Sequence, residues 1–177
     1  MRDLYWKKSL VKQATILRYR IRQKRWTDST FANVEQAVMV GFYSIRKLIE
    51  ARDLTDFIRT QRLKIVAYAW KGKRVTRLNR FFPNELYNLK TPHPLEKDLL
   101  FLCHQVVHSY LFELSFNRAR NLNGVFMSSD RERNRAVYFL RIRQIIKLFE
   151  QVGNDYPTQT KFTYNPKTQD YDVQVGK

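Results

Sequence analysis

The sequence predicts a mainly α protein, a helical bundle of three or four main helices with two β-hairpin decorations (α+β), folded as a single domain over residues 1–177. Three observations carry the prediction. In several stretches apolar residues recur three and four positions apart, the period of one helix face. The longest apolar run, Pro94–Phe116, is apolar in most directions around a helix axis, as a central helix enclosed by others would be. Only five glycines and five prolines interrupt 177 residues, which favours regular elements over a loop-rich scaffold.

Residues 1–26 read as a basic amphipathic helix. At about 100° per residue, Trp6, Leu10, Ala14, Leu17 and Ile21 share one face, while Lys7, Lys8, Lys12, Arg18, Arg22 and Arg25 fall on another arc. Thr27-Asp28-Ser29 is a turn and N-cap. Thr30–Ala51 follows as a second helix whose core stripe is Phe31, Val34, Val38, Phe42, Ile45 and Ile49. Gly41 would weaken that helix in isolation, so its expected purpose is to let a neighbouring helix come close.

In the 57–84 region, Leu63–Trp70 and Arg74–Leu78 are expected to pair as a basic hairpin with Lys71-Gly72-Lys73 at its tip. Pro83–His93 connects to the central helix. Pro94 is tolerated in its first turn, and Glu96 and Asp98 complement the macrodipole there. A turn and a short strand at 117–129 lead to Ser129-Asp130-Arg131-Glu132. This capping-box match begins a helix that runs to Val152 and stops at Gly153, so residues 94–152 hold the core helices. Lys161–Tyr164 and Asp170–Val175 alternate in polarity and read as a C-terminal hairpin within 158–177.

Charge sets the functional expectation. Lys and Arg number 33 against 16 Asp and Glu, a formal net charge of +17. Self-repulsion at that charge works against folding, so a polyanionic partner is expected. Nucleic acid, as RNA or single-stranded DNA, is the first expectation, within a bacterial defence, toxin or mobile-element assembly. The alternative is a basic structural subunit that meets an acidic protein partner. A lone cysteine forms no internal disulfide, no apolar run suits a membrane span, and the N-terminus has no apolar signal core. A cytoplasmic protein is therefore expected.

The charge is unevenly placed. Residues 1–26 hold nine basic side chains and one acid, and 57–84 hold eight and none. The candidate nucleic-acid-binding residues are Lys8, Lys12, Arg18, Arg22 and Arg25 in the first segment. In the second they are Arg62, Lys64, Trp70, Lys71, Lys73, Arg74 and Arg77, where aromatic rings are interleaved with the cations. Cations that track a backbone beside rings that stack on unpaired bases are the chemistry of single-strand recognition.

His104 and His108, four residues apart, share one helix face. That spacing suits a metal chelate, but the metalloprotease pattern needs Glu after the first His, and Gln105 stands there. No metal and no cofactor is expected. The other reading makes His104 or His108 a proton-transfer group, with Arg118, Arg120, Arg131 or Arg133 holding the phosphate, the last two at the capped helix start. Both histidines packing into the core is the plain structural alternative.

The order of long helices, with FYSIRKLIEA in one and LLFLCHQVVHSY in another, resembles HEPN-type helical domains over residues 30–152. The resemblance implies a helical fold and a metal-independent ribonuclease activity, or nucleotide binding without cleavage. The family's motif is Arg, four to six residues, then His. No Arg precedes a histidine here at that distance; Lys97, six residues, then His104 is the nearest approach. SDRERN and VGNDYP resemble stretches of small uncharacterised bacterial proteins, which imply no activity.

Overall fold

Two long helices open the chain, α1 (Arg2–Arg20) and α2 (Asp28–Glu50), close to where the apolar stripes place them. On α1, Leu10, Ala14 and Leu17 are buried, with Trp6 and Ile21 packed beside them. Lys7, expected on the basic arc, is instead buried: its ammonium donates to the Asp53 carbonyl at 2.9 Å. A reciprocal pair of bonds starts α2, in which Thr27 Oγ1 accepts from the Thr30 N–H and Thr30 Oγ1 accepts from the Thr27 N–H.

The rest of the chain departs from the expected bundle. The computed structural model, which describes residues 2–176, is a mixed α/β fold built on a five-stranded antiparallel sheet. After α3 (Asp56–Arg59) come β1 (Arg62–Ala69), α4 (Pro83–Leu86), β2 (His93–Asp98), α5 (Leu99–Val107) and β3 (Ser109–Phe116). They are followed by β4 (Leu122–Ser129), β5 (Ala136–Arg141), α6 (Ile142–Gly153), β6 (Gln159–Asn165) and β7 (Asp170–Gly176). The sheet order is β2-β1-β5-β4-β3, and β6 and β7 form a separate two-stranded ribbon. No helix of the described residues is long and apolar enough to cross a membrane.

Three expectations fail together. The 94–116 central helix is really strand, short helix and strand. Its 99–107 part has helical spacing, but from Ser109 the apolar residues Tyr110, Phe112, Leu114 and Phe116 alternate, the period of a strand. No Gly or Pro separates the two periods, so a helical reading runs through both. The helix expected from Ser129 starts only at Ile142. Ala136–Arg141 is a central strand buried on both faces, and a short apolar run of that kind carries no period to separate it from helix. Ser129 ends β4, its Oγ makes no hydrogen bond, and the capping-box residues form the β4–β5 turn instead. The hairpin at 63–78 does not close either: β1 pairs with β2 and β5, whose residues lie 26 and 67 positions further along the chain at Ala67↔His93 and Ala69↔Ala136.

Helices α1, α2, α5 and α6 share one core with the sheet face carrying Leu63, Ile65, Val125, Met127, Tyr138 and Leu140. Where α2 meets α6, the Phe149 ring occupies the space a Gly41 side chain would need; an added Cβ would sit 2.1 Å from it. The close approach expected of Gly41 is therefore present. On the opposite face, the 70–89 segment lays Val75, Leu86 and Tyr87 over Leu111 and Val137. The expected C-terminal hairpin is present as β6–β7.

Candidate nucleic-acid interface

Strand pairing brings distant chain segments to one end of the sheet. Ala69 lies opposite Ala136, and Ser109 opposite Ser129, so β1 and β4 finish, and β3 and β5 begin, at the same end. The segment after β1 and the β4–β5 turn are bonded to each other there. The Trp70 N–H donates to the Arg135 carbonyl at 3.0 Å, the Val75 N–H to Asn134 Oδ1 at 3.0 Å, and Tyr87 Oη to the Arg133 carbonyl at 2.6 Å. Lys71, Lys73, Arg74, Arg77, Arg131 and Arg135 are exposed on this basic end.

Exposed rings lie in the same segment: Phe81 is 53% exposed and Phe82 50%. Trp70, expected to contact bases, has contacts within the fold. It is partly buried against the smaller core, and its Nε1 donates to the Lys73 carbonyl at 2.7 Å, shaping the loop. Arg133 is likewise engaged within the protein. Its guanidinium lies 3.8 Å from the Tyr110 ring centroid and 3.3 Å from Asp130, so it braces the turn and leaves Arg131 as the outward cation.

The histidine pair borders this end. Asp98 caps α5, accepting from the Phe101 N–H at 2.7 Å, and the helix delivers His104 and His108 beside the β4–β5 turn. Their ring centroids are 4.9 Å apart. With Ser129, Asp130 and Arg131 they line a shallow hollow of about 240 Å³. Arg46 Nη1 lies 3.1 Å from His108 Nε2. A guanidinium only donates, so in this contact Nε2 accepts and the ring proton sits on Nδ1. Gln105 faces inward, its Oε1 accepting from the Ser129 N–H at 2.8 Å.

Burial, and then the neighbouring His108, Arg131 and Arg46, hold the His104 imidazole below its usual value of 6.5. The unfolded chain therefore binds this proton more readily than the folded protein. The stability that His104 contributes is complete above pH 6.5 and is lost as pH falls through the lowered value. The expected result is an NMR titration of His104 with a midpoint below 6.5. A midpoint at or above that value would contradict the packing described.

Cys103, beside His104 in sequence, points into the core, and burial pushes its thiol up to about 12. It takes no part in a surface site. A thiol reagent is expected to leave native protein unmodified and to label it fully in denaturant.

The remaining candidates lie elsewhere. Arg62 Nη2 donates to the Glu96 carbonyl at 2.9 Å at the start of β1, and Lys64 lines a small hollow with Phe139 and Arg141. Lys8 and Lys12 are exposed on α1, and Arg18 pairs with Glu150 of α6. Arg22 and Arg25 belong to a second basic patch at the α1–α2 connection. Lys24 there donates to the Ala119 carbonyl at 2.6 Å, which brings Arg118 and Arg120 alongside. Between the two patches, along the open edge of β3, lies a cleft of about 490 Å³ lined by Asp28, Glu35 and Glu113 together with Arg80 and Phe81. Burial, then Glu35, raises the Glu113 carboxyl. These acids interrupt any continuous path for a polyanion.

Arg46, Arg135 and Tyr110 belong to the site and carry no mark in the sequence. Arg46 stands on an ordinary amphipathic helix, and only tertiary packing sets it against His108. Among the described residues no three His, Cys, Asp or Glu side chains converge as metal ligands. No protein-family model, curated protein or solved structure matches the chain.

Proposed function

We propose that the protein binds RNA or single-stranded DNA through the basic end formed by the 70–82 segment and the β4–β5 turn. One observation carries this reading. Two segments about sixty residues apart in sequence are bonded together so that Lys71, Lys73, Arg74, Arg77, Arg131 and Arg135 are exposed at one end of the sheet, with the exposed rings of Phe81 and Phe82 following in the first segment. Phosphates meet the cations and unpaired bases stack on the rings, a combination that suits a single strand better than a duplex with its bases already stacked. The test is binding of a labelled single-stranded oligonucleotide across a salt series. A steep fall in affinity with salt is expected, and no binding at low salt would end the proposal.

A second reading, metal-independent RNA cleavage, is favoured by the histidine pair with Arg46 and Arg131 beside it. A neutral imidazole can take a proton from a 2′-hydroxyl, and a second group can return one to the leaving oxygen while a cation holds the phosphate. Cleavage that persists in chelator and falls at least about 100-fold in His104→Ala is the expected result, in line with the usual worth of a general acid or base. RNA left intact by the wild-type protein would leave binding as the sole activity.

A further inference from the structure

We propose that the β6–β7 ribbon is a dimerisation surface, its uncharged face packing against the same face of a second copy of this chain. The register places Phe162 opposite Val173 and Tyr164 opposite Tyr171, with Thr160 and Val175 continuing the row. Alternation therefore sorts the ribbon into two faces. One carries Lys161, Asp170 and Asp172; the other carries no charge at all. On the uncharged face Phe162 is 64% exposed, Tyr164 55% and Tyr171 57%, and the Tyr164 and Tyr171 rings meet at 5.4 Å. The face continues past Val175 into a hollow of about 410 Å³ lined also by Phe57, which is 80% exposed on α3.

A two-stranded ribbon is marginal by itself in water. Here one end is fixed, the Val175 N–H donating to Asp56 Oδ2 at 3.1 Å, and the aromatic row beyond it is left without cover. At roughly 200 Å² for each aromatic side chain, the exposed parts of these four rings amount to about 500 Å² per copy. Two copies would bury about 1,000 Å², the lower bound of a specific interface.

Charge selects the occupant. A nucleic acid finds no cation for its phosphates on this face, and both it and an acidic protein have far better places to bind on a chain of net charge +17. Two such chains repel wherever their basic surfaces meet. They can approach on this face, because it is neutral and because the basic end is remote. The ribbon is tied to Asp56, just before β1, whereas the basic end begins where β1 stops at Ala69. Eight strand residues at about 3.3 Å each separate the two by roughly 25 Å, beyond the screening length at physiological salt. A surface that matches itself gives a closed two-fold dimer.

The test is sedimentation equilibrium of the full chain, freed of nucleic acid, at micromolar concentration and 0.5 M salt. The expected mass is twice 21.4 kDa. Phe162→Ser with Tyr171→Ser is expected to give a monomer with an unchanged thermal unfolding transition of the main domain. Thr163→Lys, on the charged face opposite Asp172, is expected to remain dimeric. A monomeric wild type overturns the proposal. So does a double variant that still dimerises, or a Thr163→Lys protein that dissociates as readily as the double variant.

Discussion

Reversing Lys73, Arg74, Arg77 and Arg131 to glutamate is expected to weaken single-strand binding by two to three orders of magnitude at 0.1 M salt. Each phosphate contact on a single strand contributes about 0.7 to the slope of log affinity against log salt. Four lost contacts remove a slope of about 2.8, which at 0.1 M is a factor of several hundred. The four side chains are exposed, so the fold should tolerate the change. Lys73 does pair with Glu85, but at 3.5 Å between two exposed groups that pair contributes little stability. The control is Lys8→Glu with Lys12→Glu on the exposed side of α1, which alters net charge without touching the basic end. It should change affinity by less than about threefold, leaving only the long-range, screened part of the interaction. Equal losses in both variants would mean that net charge, and no particular surface, holds the strand.

Replacing Phe149 with alanine is expected to cost about 3–5 kcal/mol, the usual result of emptying a fully buried aromatic site. Phe149 is completely buried, meets Phe42 edge to face at a centroid distance of 5.5 Å, and rests on Gly41. Gly41→Ala approaches the same contact from the other side. Alanine favours helix by about 1 kcal/mol, yet its methyl would lie 2.1 Å from the Phe149 ring. Overpacking then dominates, for a net loss of about 2 kcal/mol. Combining the two substitutions should recover part of the sum, because the methyl enters the space the ring has left. Denaturant unfolding of the four proteins measures this coupling. Strict additivity would show that the two positions do not share the contact.

The parts of the fold legible in the sequence are those whose period is local and uninterrupted. The stripes of α1 and α2 and the alternation of β6–β7 are each bounded by turn residues and appear close to where expected, although α1 stops at Arg20 instead of reaching residue 26 and Phe31, expected in the α2 core stripe, is 39% exposed. The middle of the chain was legible only as apolar. Leu99–Val107 runs into Ser109–Phe116 with only His108 between, and β5 passes directly into α6 at Ile142, so no Gly or Pro marks the change of period. The expected partner of β1 was the nearest one in the chain, Arg74–Leu78. Its actual partners lie in β2 and β5, and that choice depends on burial of both sheet faces, which no local window contains.

The candidate site divides in the same way. By itself the sequence determined the excess of 17 positive charges, the acid-free stretch at 57–84 and the presence of two histidines one helical turn apart. These follow from composition and from spacing along the chain. Tertiary structure alone decided that Arg131 stands beside the histidines, that Arg46 reaches His108, that Trp70 and Arg133 are engaged within the protein, and that Arg22 and Arg25 lie on another surface. Each of those outcomes is set by which strands pair. Strand pairing is a contest among long-range burials, whereas charge and helical period are properties that a residue carries with its nearest neighbours.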